Sequence, residues 1–279
     1  DEKDEYSYSI IKNSDSSCFK EGVLKSGDHL DIYNLEVGET YTFNGFSPSI
    51  LNEPASKSQN NVLTTDYIEP TETYTFTVED VAPRNLFIEG VTNCRDLGGW
   101  KIGKNKRVKQ GLIYRTSKLN DDESTDALIT ENGKNVMIHD LKMKTELDLR
   151  KTSDNENGGI TSSLLGDWVK YVSIPMKSSG NIMTLNKGLL PDLFKVLGDP
   201  NNYPMFFHCS IGTDRTGYIA FLINALLGVS EDDLYRDYLF SNFGNIGSMR
   251  TTSALDGYIK DIKDMNKGKT LAEKVENYL

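Results

Sequence analysis

Residues 208–217 constrain this chain more than any other part of its sequence. They join a short apolar run, residues 205–207, to a predicted helix over residues 218–227 that is apolar on nearly all sides. Such a run predicts a buried strand, and such a helix predicts a central position in the fold. A loop between the two directs backbone N–H groups at one point, where the helix dipole adds positive potential. We therefore expect an anion-binding site.

Four residues of this loop indicate phosphate chemistry. Gly212 lets the backbone turn tightly and approach a ligand closely. Arg215, six residues after Cys209, can fold back over the loop and hold phosphate oxygens with its planar fork. The positive surroundings should lower the pKa of Cys209, which makes its thiolate a candidate nucleophile. Thr216 can offer its hydroxyl to the sulfur when the sulfur leaves.

These features predict covalent catalysis without a metal or other cofactor. The thiolate of Cys209 would attack phosphorus, and water would then hydrolyse the phosphocysteine intermediate. We expect Arg215 and the backbone amides around Ser210, Ile211, Gly212 and Thr213 to bind the phosphate. The alternative for Cys209 is a buried structural cysteine, which would require neither the arginine nor the glycine at this spacing.

The loop resembles the signature of the protein tyrosine phosphatase superfamily, His-Cys-x5-Arg-Thr. Its ending, Gly-Thr-Asp-Arg-Thr-Gly at residues 212–217, resembles that of bacterial tyrosine and dual-specificity phosphatases, some of which also cleave phosphoinositides. Three further segments resemble that group in the same order: Asn-Cys-Arg-Asp-Leu-Gly-Gly at 93–99, Leu-Ile-Tyr-Arg-Thr-Ser at 112–117 and Asp-Leu-Arg at 148–150. The resemblance spans roughly residues 86–245.

The resemblance also implies roles for four other charged residues. The bacterial subgroup carries an Asp directly before the loop Arg, so Asp214 is the first candidate for the general acid. Asp148, at a predicted strand end, is the second candidate, and in the family an Asp there is thought to orient the arginine. Arg95 and Asp96 are candidates for substrate contact, with a structural ion pair as the alternative.

The pattern of apolar, polar and turn-forming residues divides the chain into two domains. Residues 1–85 contain short alternating runs, such as 29–33, 39–43 and 71–78, separated by Gly, Asn, Ser and Pro, which predicts a small all-β, sandwich-like domain. Residues 86–279 read as α/β: a phosphatase domain with a central, largely parallel sheet flanked by helices. The role of the first domain stays open, with a surface partner as one hypothesis.

Composition restricts partners and location. The net charge of −10 disfavours nucleic acid and anionic membranes as general partners. No run approaches the ~18 apolar residues that a membrane helix needs. Three cysteines are too few for a disulfide framework. The appended β domain, a first residue other than Met and the few cysteines favour a bacterial, extracytoplasmic protein, secreted or surface-attached; a cytoplasmic location stays open.

The most direct functional interpretation is a phosphatase for phosphotyrosine, in protein or small phosphomonoester form, with dual specificity as an extension. A second interpretation is an inositol phosphate or phosphoinositide phosphatase. Members active on phosphoinositides usually have Lys where this chain has Thr213, which argues against it. A third is a non-catalytic phosphate-binding module whose β domain binds a partner.

Overall fold

The computed structural model describes residues 5–47, 69–120, 128–153, 156–265 and 267–279 of the 279-residue chain. The chain divides into two compact units, Asp1–Val81 and Ala82–Leu279. Within the described ranges, no helix combines the length and apolar character needed to cross a membrane.

The first unit is a four-stranded antiparallel sheet with the strand order β2-β1-β3-β4. Its strands are β1 (Glu5–Lys12), β2 (Ser17–Lys25), β3 (Thr40–Phe46) and β4 (Glu72–Thr77). Alternation along β1 and β3 brings Tyr8, Ile10 and Tyr41 to one buried face. Leu30 and Leu35 pack against that face from the segment between β2 and β3.

Two details of the first unit differ from the sequence prediction. Residues 29–33 alternate but form no strand, because they cover the apolar face of the sheet instead of extending its ladder. In the part of this unit that the structure describes, the core therefore lies between one sheet and an irregular segment. The described residues of this unit form one sheet, not the two sheets of a sandwich.

The second unit is the predicted α/β domain. Its five-stranded sheet has the order β10-β9-β11-β8-β5, in which only β5 is antiparallel. The strands are β5 (Arg95–Asp96), β8 (Ile113–Thr116), β9 (Thr145–Asp148), β10 (Lys170–Ser173) and β11 (Met205–His208), and a separate hairpin is formed by β6 (Lys101–Ile102) and β7 (Lys106–Arg107).

Seven α-helices are described in this unit. They are α1 (Glu131–Asn135), α2 (Ile182–Asn186), α3 (Leu190–Leu197), α4 (Asp214–Leu226), α5 (Glu231–Phe240), α6 (Ser253–Met265) and α7 (Leu271–Tyr278). A π-helical turn, Val136–Asp140, continues α1, and 3-10 turns lie at Lys187–Leu189, Pro200–Asn202 and Ser241–Phe243. Helix α4 is buried at nearly every position, as its uniform apolar character predicts.

The central strand β11 separates two apolar clusters. Phe206 belongs to the cluster with Tyr114 and Met137, and Phe207 belongs to the larger cluster with Leu147 and α4. Adjacent residues of a strand point to opposite faces of a sheet, so this strand has a core on both sides. The burial of β11 fixes the position of the loop that follows it.

Two local predictions in this unit need correction. The apolar run Leu-Phe-Ile at 86–88 predicts a strand, but only Ile88 forms an isolated bridge, with Val91. Asn120, followed by the acidic residues 121–123, predicts the start of a helix, but residues 121–127 lie outside the described residues. The sequence predicts its end before Gly133, but Gly133 lies inside α1. A Cβ there would lie 2.2 Å from the carbonyl oxygen of Glu89, so close packing rather than helix termination requires this glycine.

We expect Phe207→Ala to lower the free energy of unfolding of the second unit by about 3–5 kcal/mol, because a fully buried ring leaves a cavity between β11 and α4. Urea denaturation followed by the fluorescence of Trp100, which belongs to the same cluster, measures the loss. Phe243→Ala is the matched control: its ring is 84% exposed, and we expect a change within about 0.5 kcal/mol. Equal losses in both variants would contradict the placement of Phe207.

Candidate active site

The candidate site lies at the carboxyl edge of the parallel sheet. There His208 ends β11 and lies in register between Thr116 at the end of β8 and Asp148 at the end of β9. Residues 209–213 leave β11 and lead into α4. In open α/β sheets, ligands bind at this edge because the strand ends deliver their loops to one place.

Four consecutive carbonyl oxygens of the loop, those of residues 209–212, each accept a hydrogen bond from a surrounding group. The donors, in order, are the ring of His208 at 3.1 Å, the backbone N–H of Lys118 at 3.0 Å, the side-chain amide of Asn93 at 2.9 Å and the guanidinium of Arg115 at 2.9 Å. Across a planar trans peptide, the next N–H points the opposite way. The N–H groups of residues 210–213 therefore converge on the inner side of the loop, as expected for the phosphate-binding amides.

Gly212 is essential to this turn. Its φ is +71°, and a Cβ there would lie 2.3 Å from the carbonyl oxygen of Thr116. Both the left-handed conformation and the lack of space exclude a side chain. The close approach of the loop to the end of β8 therefore depends on this one position.

Buried ion pairs support the loop from behind. Arg115 donates to Gly212 and also binds Asp237 of α5 at 2.6 Å. Arg95 binds the other oxygen of Asp237 at 2.9 Å and holds Asn93 with a bond of 2.5 Å. Burial would raise the pKa of Asp237, but the two guanidinium groups hold it below its ordinary value. Two cations and one anion leave net positive charge behind the loop.

The substrate-contact roles considered for Arg95 and Asp96 are wrong. Both side chains are fully buried, and their polar atoms are engaged within the protein. Asp96 binds Arg84 at 3.0 Å and accepts the backbone N–H groups of Gly98 and Gly111, each at 2.7 Å. The alternative considered, structural ion pairing, describes both residues. Arg95 still matters to the site because it fixes Asn93, which holds the loop.

The surroundings of Cys209 favour its thiolate. Burial acts against ionisation, but the charge of Arg215, the hydroxyl and backbone N–H of Thr216 and the backbone N–H of Gly212 outweigh it and lower the pKa of Cys209. The Thr216 hydroxyl has no other hydrogen-bond partner among the described residues. That position fits the leaving-group role predicted for it. Cys94, by contrast, is buried among apolar side chains, which raises its pKa to about 12.

His208 connects the loop to a buried acidic pair. Its ring contacts the carbonyl of Cys209 on one side and Glu146 at 3.0 Å on the other. Although burial lowers the pKa of His208, Asp148 and Glu146 raise it above its ordinary value. Glu146, Asp148 and His208 also lie close enough together to hold a metal ion. Their atoms are already engaged with Ser163 and Arg150, so the cluster is held by protein partners.

Asp148 is not oriented for either role predicted for it. It is fully buried, and it binds Arg150, at 2.6 Å and 3.0 Å, rather than Arg215. The hydroxyl of Tyr171 also donates to it at 2.9 Å. Despite burial, the nearby His208 and Arg150 lower the pKa of Asp148. A buried, ionised carboxylate with these partners cannot protonate a leaving group.

Arg215 folds back over the loop, and a carboxylate from a different loop meets it there. Glu156 accepts from both terminal nitrogens of Arg215, with 3.1 Å to one of them, and Ser210 donates to the same carboxylate at 3.2 Å. Burial would raise the pKa of Glu156, but the bonds from Arg215 keep it low. A carboxylate therefore binds where the sequence predicts phosphate oxygens.

Asp214 lies at the rim of the loop, as the first residue of α4. Its side chain is 39% exposed and forms a bidentate pair with Arg250, at 3.0 Å and 2.9 Å. The neighbouring Thr213 is buried, and its hydroxyl accepts from Asn93 at 3.1 Å. The side chain of Thr213 is therefore unavailable to a ligand, and only its backbone amide can serve the predicted binding role.

The sequence analysis assigned no role to several residues of the site, among them Glu156, Arg115, Asp237 and Arg250. Arg115 and Glu156 carried a usable signal, because each lies at or shortly after the end of a predicted strand, where parallel strands deliver functional side chains. Asp237 lies within an ordinary amphipathic helix, and Arg250 lies in an irregular segment. Their roles depend on contacts that no local pattern encodes.

Comparisons with known proteins found similarity over most of the second unit. Residues 86–273 match a family model described as the tyrosine phosphatase family. A Cupriavidus necator protein that is provisionally named a tyrosine-protein phosphatase is 28% identical over 201 residues, covering 61% of this chain and 67% of that protein.

Two solved structures are also similar to part of this chain. The catalytic core of the inositol pyrophosphate phosphatase SIW14 from S. cerevisiae is 23% identical with a TM-score of 0.36, covering 55% of this chain and 86% of that one. TpbA from P. aeruginosa is 17% identical with a TM-score of 0.36, covering 56% and 83%.

We expect Gly212→Ala to lower activity about 100-fold, because a displaced loop misaligns the amides and the sulfur. Steady-state hydrolysis of p-nitrophenyl phosphate measures the loss. Gly228→Ala is the matched control: its φ is also positive, at +87°, but a Cβ there would meet nothing within 4 Å. If both variants lose the same activity, backbone strain alone explains the effect and the contact with Thr116 is unimportant.

We expect Cys209 to react with iodoacetamide at a pH below the ordinary thiol pKa of about 8.5, because its lowered pKa makes the thiolate available at lower pH. Mass spectrometry of peptides labelled across a pH series measures the midpoint. Arg215→Ala should raise that midpoint, and Cys94 in the same sample should stay unlabelled at neutral pH. A midpoint at or above about 8.5 would contradict the thiolate.

Proposed function

Because this chain belongs to the tyrosine phosphatase family and is a phosphoric monoester hydrolase, we propose that it hydrolyses phosphotyrosine through a phosphocysteine intermediate on Cys209. The observation that carries this proposal is the position of the sulfur. The thiol of Cys209 lies on the inner side of the loop, where the backbone amides converge and Arg215 folds over. These groups lower its pKa.

In the first step the thiolate of Cys209 attacks phosphorus. The sulfur–phosphorus bond forms as the ester phosphorus–oxygen bond breaks, and the electron pair of that bond stays on the leaving oxygen. The amides of residues 210–213 and the guanidinium of Arg215 stabilise the negative charge on the equatorial oxygens. The loop amides are already in position, whereas Arg215 first has to exchange Glu156 for the phosphate.

In the second step water attacks the phosphocysteine. The sulfur leaves as a thiolate, and the hydroxyl of Thr216 and the backbone amides of Gly212 and Thr216 stabilise it. The proton of the water passes to solvent or to an anionic group at the rim, where Asp214 lies. In both steps the groups that contact the substrate are side chains and backbone amides of one loop and the first turn of α4.

Glu156 must release part of Arg215 when phosphate binds. It holds the two terminal nitrogens of the guanidinium, which are the donors that the substrate also needs. A dianionic phosphate accepts more strongly than a single carboxylate, and the loop amides add to its binding. Substrate binding therefore includes an exchange of anions on Arg215.

Phosphotyrosine is favoured over inositol phosphates as the substrate. An inositol phosphate carries further phosphate groups that need cations beside the first site. The Lys that supplies such a cation in phosphoinositide-active relatives is Thr213 here, and its side chain is buried. Dual specificity remains a broader form of the same activity and is distinguished by including phosphoserine among the substrates.

We expect Cys209→Ser to lower kcat for a phosphotyrosyl peptide by a factor on the order of 10⁴ or more while phosphate binding persists, because the amides and Arg215 remain. Hydrolysis of p-nitrophenyl phosphate and of the peptide, with vanadate as an inhibitor, measures this. Cys18→Ser, at an exposed cysteine of the first unit, is the control and should match the wild type. Substantial turnover by Cys209→Ser would reject the covalent mechanism, and wild-type protein inactive on both substrates would favour the phosphate-binding module.

A further inference from the structure

Two large apolar side chains project into solvent from one short segment that follows α5. Among the described residues, Phe243 and Met249 are the most exposed large apolar side chains, at 84% and 81%. The seven residues 243–249 also contain no charged side chain. Apolar surface that is left in water at one place commonly marks a surface that contacts another molecule.

This segment, residues 242–250, is closed by a pair of hydrogen bonds; we call it the rim segment. The backbone N–H of Arg250 donates to the side chain of Asn242 at 2.7 Å, and the amide of Asn242 donates to the carbonyl of Arg250 at 2.9 Å. Residues 242 and 250 therefore lie side by side, which brings the neighbouring Phe243 and Met249 to the same end of the segment. Ile246, in the middle, is buried.

The first half of the rim segment packs against a residue that holds the phosphate-binding loop. A Cβ on Gly244 would lie 3.0 Å from the Cβ of Asn93, so the two backbones are in close contact. The side-chain amide of Asn93 in turn binds the loop carbonyl of Ile211 at 2.9 Å. Phe243 therefore lies one residue from a direct contact with the supports of the loop.

The second half of the rim segment is fixed to the start of α4. The guanidinium of Arg250 binds both oxygens of Asp214, the first residue of that helix. These bonds raise the pKa of Arg250, and the charge of Cys209 adds to the effect, so the guanidinium lies within electrostatic reach of the sulfur. Met249 is therefore one residue from a group beside the reacting atoms.

The exposed ring of Phe243 rests on a rigid base. It packs against Phe240, the last residue of α5, with the ring centroids 5.2 Å apart. The buried guanidinium of Arg95 lies over the ring of Phe240, at 5.6 Å from its centroid. A side chain that is already held in place loses little conformational freedom when a ligand covers it.

A protein substrate has to cross this rim. The loop amides and Arg215 enclose only the phosphoryl group, so the rest of the substrate extends outward past the start of α4. The carboxylate of Asp214 and the guanidinium of Arg250 neutralise each other there. The remaining large surface is that of Phe243 and Met249, and it matches an apolar side chain better than a charged one.

We propose that Phe243 and Met249 form a subsite for a large apolar side chain next to the phosphotyrosine of a protein substrate. This deepens the proposed function and rests on it. An apolar neighbour that covers the two side chains removes apolar surface from water, which favours binding. The contact is equally strong in the bound substrate and in the transition state, so it lowers KM and leaves kcat unchanged.

The test compares the full chain with Phe243→Ser, Met249→Ser and the double variant. The substrates are p-nitrophenyl phosphate and two phosphotyrosyl peptides that differ only in carrying leucine or serine on both sides of the phosphotyrosine. In the wild type we expect kcat/KM to be about tenfold higher for the leucine peptide, with the difference in KM. Each single variant should lose part of this preference and the double variant all of it. Turnover of p-nitrophenyl phosphate should change by less than about twofold.

Two control variants remove exposed side chains away from the rim segment. Trp168, which is 69% exposed, precedes β10 and therefore lies at the edge of the sheet opposite the site. Met265, which is 64% exposed, ends α6, and a helix of 13 residues is about 20 Å long. Trp168→Ser and Met265→Ser should keep the wild-type preference between the peptides.

Peptide binding to Cys209→Ser, followed by fluorescence anisotropy, tests the subsite without turnover. The leucine peptide should bind about tenfold more tightly than the serine peptide, and this advantage should disappear when Phe243→Ser and Met249→Ser are added. If this preference is present but the wild type hydrolyses neither peptide nor p-nitrophenyl phosphate, the subsite is supported and the proposed function is rejected.

Other results would overturn the proposal. An unchanged preference between the peptides in the double variant would exclude the two side chains from substrate contact. An equal loss of turnover for all three substrates would make the rim segment a support of the loop instead of a binding surface. A shift in elution volume on size-exclusion chromatography, without a change in peptide preference, would assign Phe243 and Met249 to an interface between copies of this chain.

Discussion

The site depends on the hydrogen bonds that hold four consecutive carbonyl groups of one loop on its outer side. A loop of this length would ordinarily have peptide groups pointing both ways, and a mixed ring of donors and acceptors would not attract an anion. Here His208, Lys118, Asn93 and Arg115 bind the carbonyls of residues 209–212. The N–H groups are left on the inner side. The loop therefore prefers anions because its carbonyl groups are hydrogen-bonded on the outer side.

That arrangement explains why so much charge is buried behind the loop. Asp237 is shared by Arg95 and Arg115, and these two arginines control the positions of Asn93 and Gly212. Buried ion pairs contribute little net stability, since desolvation offsets much of their attraction, but removing one partner is costly. Here these ion pairs hold Asn93 and Gly212 in position. The excess positive charge also favours a thiolate in a protein whose overall charge is −10.

The same pairing of arginine with carboxylate recurs on the open side of the loop, with a different consequence. Behind the loop the pairs are buried. At the front, Glu156 and Asp214 are partly exposed, and their arginines are the groups that a phosphate or a leaving group would address. Phosphate binding then depends on the exchange of Glu156 for the substrate on Arg215, so a side chain outside the signature loop takes part in it.

The sequence by itself determined the chemistry at the centre. The spacing of Cys209 and Arg215, the glycine between them and the apolar strand and helix on either side are local features. Local steric and dipole effects are enough to predict an anion site from them. The largely parallel sheet was predictable for a similar reason: its central strand is buried on both faces and reads as an uninterrupted apolar run.

Only the tertiary structure decided which charges meet. Arg95 pairs with Asp237, 142 positions away, and Arg215 pairs with Glu156, 59 positions away. The sequence contains many acidic and basic residues, and nothing local distinguishes the pair that forms from those that do not. From the sequence, Arg95 and Asp96 were therefore candidates for substrate contact, and Asp148 was a candidate for the general acid. In the structure all three side chains are buried. Coulomb attraction acts on distance in space, and that distance is fixed by the packing of whole strands and helices.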